Sequence, residues 1–156
     1  MTPPIAPLVI VSLLAIPSLT QAQCPDRATR DSVVWVGSDR VLLRVGDVWR
    51  DFRPGGYRSP DLGSDLMVAL SLRDPDNGKV RLDGRVTHVW VRRDTTWTPL
   101  SVDSAWVTLD TLQVRQAGRG GPTWPVDALV DVAVEWSVGA LTYCTAFPRL
   151  PIMRTM

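Results

Sequence analysis

His88 is the one imidazole in the chain, so any histidine chemistry, metal ligation or general-base work, has to be built on that residue. A hydrolytic triad would need a nucleophile and an orienting carboxylate beside it, and no serine sits in a G-x-S-x-G turn. Lying between Val86 and Trp90, His88 reads as a surface or edge-strand histidine. Asp74-Pro75-Asp76-Asn77-Gly78 gathers oxygen ligands in a way that suggests a calcium loop. The spacing is wrong for one: glycine arrives at the fifth position, where an EF-hand needs it at the sixth, and a tight turn is the expectation. Gly118-Arg119-Gly120-Gly121-Pro122 lacks both the Walker lysine and a following helix, so it reads as a loop and not as a phosphate cradle. Asp61, Asp65 and the other carboxylates show no spacing that pairs two of them. The expectation is no catalytic set, no metal and no cofactor.

The aromatic residues carry more information. Of seven tryptophans, Trp136 falls on a core face by alternation, and Trp35 is expected to join it. Trp90 and Trp106 each lie opposite their strand's aliphatic set, while Trp97 and Trp124 lie near turns or loops. If Trp90, Trp97, Trp106 and Trp124 meet, they form an exposed aromatic patch of the kind that contacts a partner, a sugar or a membrane. The competing expectation is that both faces of this part of the sheet are covered and the indoles are packing.

The elements that must position these side chains have the period of strands. Ser32–Val36 and Arg40–Val45 are rich in β-branched residues and are separated by Gly37-Ser38-Asp39, a turn. Leu66–Leu72 alternates cleanly, and Arg85–Arg93 places Val89 and Val91 inward with His88, Trp90 and Arg92 on the other face. Ala105, Val107 and Leu109 alternate, and Leu112 and Val114 follow. Asp127–Trp136 sets Val130, Val132, Val134 and Trp136 against Asp131, Ala133 and Glu135. Leu141–Phe147 is the last strand, with Tyr143 and Thr145 inward and Cys144 outward. The proline- and glycine-rich Asp51–Ser64 and Gly118–Pro125 read as loops. No segment has a capped helical stripe. Seven or so short antiparallel strands at this spacing predict an all-β fold, an immunoglobulin-like sandwich.

Composition agrees with one globular domain: 45% of residues are apolar and 21% charged, and the formal net charge is +1. That balance argues against nucleic acid as a partner. Leu8–Ile16 is a continuous apolar run, broken by Pro17 and followed by Thr20-Gln21-Ala22 with small residues at both ends. This is the pattern of a secretory signal peptide over residues 1–22, cleaved after Ala22, although Met1–Pro7 carries no Lys or Arg. The run is too short to serve comfortably as a membrane anchor, and no later segment could span a bilayer. Gln23 before Cys24 excludes a lipobox. The mature domain is then 23–156, periplasmic or secreted. In an oxidising compartment, Cys24 and Cys144 are expected to pair within the chain, ahead of two free or intermolecular thiols. Cys144 points outward by alternation, so such a bridge would drape the segment after Cys24 across the outside of the sheet.

The stretch from Asp103 to Phe147 carries a resemblance. It has an Asp-Ser-Ala-Trp-Val strand, a Gly-Gly-Pro-Thr-Trp-Pro loop, the Val-Asp-Ala-Leu-Val-Asp-Val-Ala-Val-Glu-Trp strand and a Tyr-containing final strand. In these it resembles uncharacterised small exported bacterial proteins with an immunoglobulin-like or fibronectin-type-III-like fold. The resemblance implies a fold and no activity. The leading expectation is therefore an exported, non-enzymatic binding or structural module whose partner is a protein or polysaccharide of the cell envelope. The alternative is a carbohydrate-binding module using the exposed tryptophans. A small hydrolase built on His88 stands third.

Overall fold

The alternation of β-branched and polar residues is realised as strand almost throughout. The computed structural model describes residues 23–50, 66–81, 83–108 and 113–154, with the backbone alone described at 104–108 and 113–115. The leader over 1–22 with its cleavage site, and the expected loop over 51–64, lie outside the described residues. A single helical turn, α1 (Cys24–Arg27), precedes β1 (Val33–Val36), β2 (Asp39–Arg50), β3 (Leu66–Arg73), β4 (Gly84–Arg92), β5 (Thr98–Thr108), β6 (Gln113–Gly121), β7 (Leu129–Val138) and β8 (Leu141–Arg154). Among the described residues no helix is long and apolar enough to cross a membrane.

The all-β class is as expected, but the strands close differently from two separate sheets. Their order is β1-β2-β3-β6-β5-β4-β7-β8, and β2 also pairs with β8. Strands β2 to β8 therefore form a closed seven-stranded barrel, with β1 attached as an extra strand. The physical reason lies in the two longest late strands, which change partners along their length. β5 pairs with β4 through Thr98–Leu100 and with β6 from Ser101 onward. β8 pairs with β7 through Pro151, then runs parallel to β2 at Ile152, Met153 and Arg154. Strands that bend from one layer to the next weld the edges that a sandwich leaves open. The bend in β8 is marked by Arg149 at φ 57°, whose amide leaves the ladder and donates to Asp131 Oδ1 at 3.0 Å.

The interior is filled by aliphatic side chains from every layer, including Leu43, Leu66, Leu70, Val89, Val91, Val132 and Ile152, with Trp136 the largest. Gly118–Gly121 was expected in a loop but belongs to β6. A Cβ on Gly118 would lie 3.0 Å from Leu100 and 3.1 Å from Val89, and one on Gly121 would lie 2.8 Å from Leu100 and 3.0 Å from Leu66. These glycines serve close packing across the barrel and not a turn. Trp35 also departs from expectation. It is 67% exposed, because β1 turns Val34 and Val36 toward the core and presents Trp35 outward, where the Arg40 guanidinium lies over its ring. The Asp74–Gly78 segment is the expected turn: the Asp74 carboxylate accepts from the Asp76 amide at 2.8 Å and the Asn77 side chain at 2.7 Å.

The N-terminal segment seals the seam between β8 and β2. Thr29 bridges to Thr145 of β8, its amide donating to the Cys144 carbonyl while its own carbonyl accepts from Ala146. A few residues later β1 pairs antiparallel with β2. Just before this seam, Cys24 is disulfide-bonded to Cys144. Tyr143 packs on the core and Thr145 is buried, so Cys144 faces outward, and α1 lies against β7 and β8 on the outside of the barrel. The disulfide and the draped segment thus match the reading of the last strand.

Candidate functional site

Among the described residues, basic and acidic side chains face each other on the outer surface where β4 and β7 run side by side. After the irregularity at Val86/His88, β4 directs His88, Trp90 and Arg92 outward, and the Cα partners of these residues on β7 are Glu135, Ala133 and Asp131. Alternation sends all six to one face. Two of the three cross-strand pairs join a basic group to an acidic one. The small Ala133 opposite Trp90 leaves room for the indole.

Each carboxylate on this face is fully engaged. Asp131 Oδ2 accepts from Arg92 Nη2 at 2.7 Å, and Oδ1 accepts from the Arg149 amide at 3.0 Å. Glu135 Oε1 accepts from Thr87 Oγ1 at 3.0 Å and from His88 Nδ1 at 2.9 Å, while Oε2 faces Arg27 Nη2 at 3.5 Å. Burial pushes the Glu135 carboxyl up, but the hydrogen bonds from His88 and Thr87 and the nearby charges outweigh it and hold the group below its ordinary range. Glu135 is therefore ionised, and its partner nitrogen, Nδ1, carries the proton.

A shallow cleft of about 610 Å³ opens over this pair, walled by Trp90 and Trp97 on one side and by Gln23, Cys24 and Arg27 of the draped segment on the other. Trp90 stacks on His88 with ring centroids 5.5 Å apart, and the Arg92 guanidinium sits 4.4 Å from the Trp97 ring centroid. Pro99 of β5, the Cα partner of Trp90, brings Trp97 alongside. Of the four tryptophans singled out from the sequence, Trp90 and Trp97 share this cleft. Trp124 packs against the core, with its carbonyl accepting from Arg50 Nη1 at 3.1 Å. The side chain of Trp106 lies outside the described residues.

No family model, curated protein or solved structure matches the chain. The site must be read from its own geometry.

Glu135 and Arg27 are the residues that sequence reasoning passed over. Glu135 was visible as an outward position of its strand, but its register against His88 was not. The carboxylate that a His88-based hydrolase would need is thus present. Among the described residues neither serine nor threonine lines the cleft; the Thr87 hydroxyl beside Glu135 donates to it, and the Cys24 sulfur is committed to Cys144. Among the described residues Cys24, Glu135 and Cys144 bring ligand atoms within 4.8 Å of one another, yet with both sulfurs in the disulfide this trio is not a metal-ligand set. What the arrangement offers is two indole surfaces beside a fixed row of polar groups.

Proposed function

We propose that this protein is an exported, non-enzymatic binding module of the cell envelope, and that its cleft holds a sugar unit of a polysaccharide. The observation that carries the reading is the convergence of Trp90 and Trp97 on one open cleft with His88, Glu135, Arg27 and Gln23. Indole rings pack against the C–H face of a pyranose, and fixed polar groups at the rim choose among hydroxyl patterns. Export is supported by the leader pattern over residues 1–22 and by a disulfide that ties the start of the described chain to its last strand. The resemblance to small exported bacterial proteins rests on residues 103–147 alone and implies a fold, not a ligand.

The test is affinity electrophoresis of the full chain through gels cast with soluble polysaccharides, including pectin, alginate, xylan and dextran. At least one polymer retards the wild type, and Trp90→Ala and Trp97→Ala each abolish the retardation. Retardation that survives both substitutions contradicts the reading.

A further inference from the structure

We infer that the ligand of this cleft is an acidic saccharide, a chain bearing uronate carboxylates. The inference rests on the saccharide reading above and names the class within it. It comes from an account of which hydrogen-bonding groups on this face are already spent.

The carboxylate acceptors are spent. Among the described residues lining the cleft Glu135 is the one carboxylate, and both its oxygens are engaged, Oε1 by Thr87 and His88 and Oε2 by Arg27. Asp131, one register pair along, has both oxygens taken by Arg92 and the Arg149 amide. Asp26 of α1 is exposed but does not line the cleft. A sugar hydroxyl that donated to either carboxylate would compete with a bond that already holds the face together.

The donors are in surplus. Arg27 is 52% exposed, and its contact with Glu135 uses a single nitrogen at 3.5 Å, longer than a strong charge-assisted pair. A guanidinium presents five N–H groups in a planar fork, so most of its capacity is left for a ligand. His88 commits Nδ1 to Glu135, is 64% exposed, and turns its Nε2 edge away from that bond. Gln23 adds an exposed amide at the same wall.

These pieces describe one ligand. An indole takes the apolar face of the ring, and a carboxylate on the ring's edge answers the Arg27 fork. Glu135 acts as a positioning residue, holding Arg27 and His88 on the ligand side by its own charge. A neutral sugar would fill the same volume and offer that fork hydroxyl oxygens, without the charge-assisted pairing of a carboxylate.

The experiment measures binding isotherms of the full, disulfide-intact chain for polygalacturonate, alginate and hyaluronate, each compared with its carboxyl-reduced counterpart. At least one acidic polymer binds on the order of tenfold tighter than its reduced form, the size of one charge-assisted contact. Arg27→Gln erases that difference and leaves the near-ultraviolet dichroism of the Trp136–Tyr143 pair intact. Equal binding to an acidic polymer and its reduced form overturns the acidic class while the saccharide reading stands. Binding to none of the polymers, acidic or reduced, overturns both. An Arg27→Gln loss that is the same on acidic and reduced polymers also overturns the inference, because Arg27 would then not be reading the carboxylate.

Discussion

Trp136 donates its indole N–H to Thr145 Oγ1 at 3.1 Å, and that hydroxyl donates in turn to the Asp31 carbonyl at 3.1 Å. One threonine thus satisfies the polar atom of the largest core side chain and stitches the N-terminal segment to β8. Thr145→Val keeps the shape, removes both bonds and leaves a buried indole N–H unpaired. The expected loss is about 1–3 kcal/mol, read as a lower denaturation midpoint with an unchanged m-value. A variant as stable as wild type would show that the indole finds another acceptor.

The disulfide spans 120 residues of sequence, so reduction frees nearly the whole described chain from a single loop constraint. In the chain-entropy picture such a loop is worth about 5 kcal/mol, and removing native bridges from small exported domains costs about 2–5 kcal/mol. Cys24→Ser/Cys144→Ser is expected to fall in that range by urea unfolding. Hydrogen exchange at the Thr29 and Ala146 amides, whose bonds close the seam, should rise in the same variant.

Gly121→Ala tests whether the glycines of β6 serve packing. The added methyl would meet Leu100 at 2.8 Å and the Leu66 Cβ at 3.0 Å, and overpacking of this kind costs about 1–3 kcal/mol. At Gly120, where φ is 87° and no atom lies within 4 Å of the new Cβ, the cost of alanine is backbone strain alone. In a Leu100→Ala background Gly121→Ala should cost less than it does in wild type, whereas the cost of Gly120→Ala should not change.

Asp131 and Glu135 predict the direction of acid sensitivity. Burial raises the Asp131 carboxyl, but hydrogen bonds from Arg92 and the Arg149 amide outweigh it and leave the group below its ordinary range; Glu135 is lowered in the same way by His88, Thr87 and Arg27. A folded-state value below the unfolded one means the native state holds fewer protons. The stabilisation is then complete above the unfolded values of about 4 and is lost as pH falls through the depressed ones. The urea midpoint of wild type should therefore drop more steeply with acidification below about pH 4 than that of Asp131→Asn, which has no carboxylate there to protonate. Parallel curves would contradict the assignment.

Much of this architecture was legible in the alternation of side chains. Val89 and Val91 inward with His88, Trp90 and Arg92 outward, the buried row from Val130 to Trp136, and the outward Cys144 all follow from period two. What alternation does not carry is register. Nothing in the sequence says that His88 lies opposite Glu135, or that Arg92 lies opposite Asp131, so the polar half of the cleft was out of reach. Closure was hidden for a related reason: Ile152–Arg154 pair with β2 far away in the chain, and Pro148 and Pro151 disguise that stretch as an ending. The glycines of β6 misled because glycine signals a turn locally, whereas here Leu100, Val89 and Leu66 from other strands require it. Trp35 misled by residue type, since a large aromatic in a strand suggests core until the strand proves to be an appendage to the barrel.

The most direct measurement for the central claim is the indole N–H region of a ¹⁵N-correlated NMR spectrum, in which each tryptophan contributes one assignable resonance. Titration with oligomers of an acidic polysaccharide that binds, oligogalacturonate first, should shift the Trp90 and Trp97 resonances together and leave Trp136 in place. Saturable binding that moves Trp35 or Trp124 while Trp90 and Trp97 stay still would contradict the account, because the ligand would then sit elsewhere on the barrel.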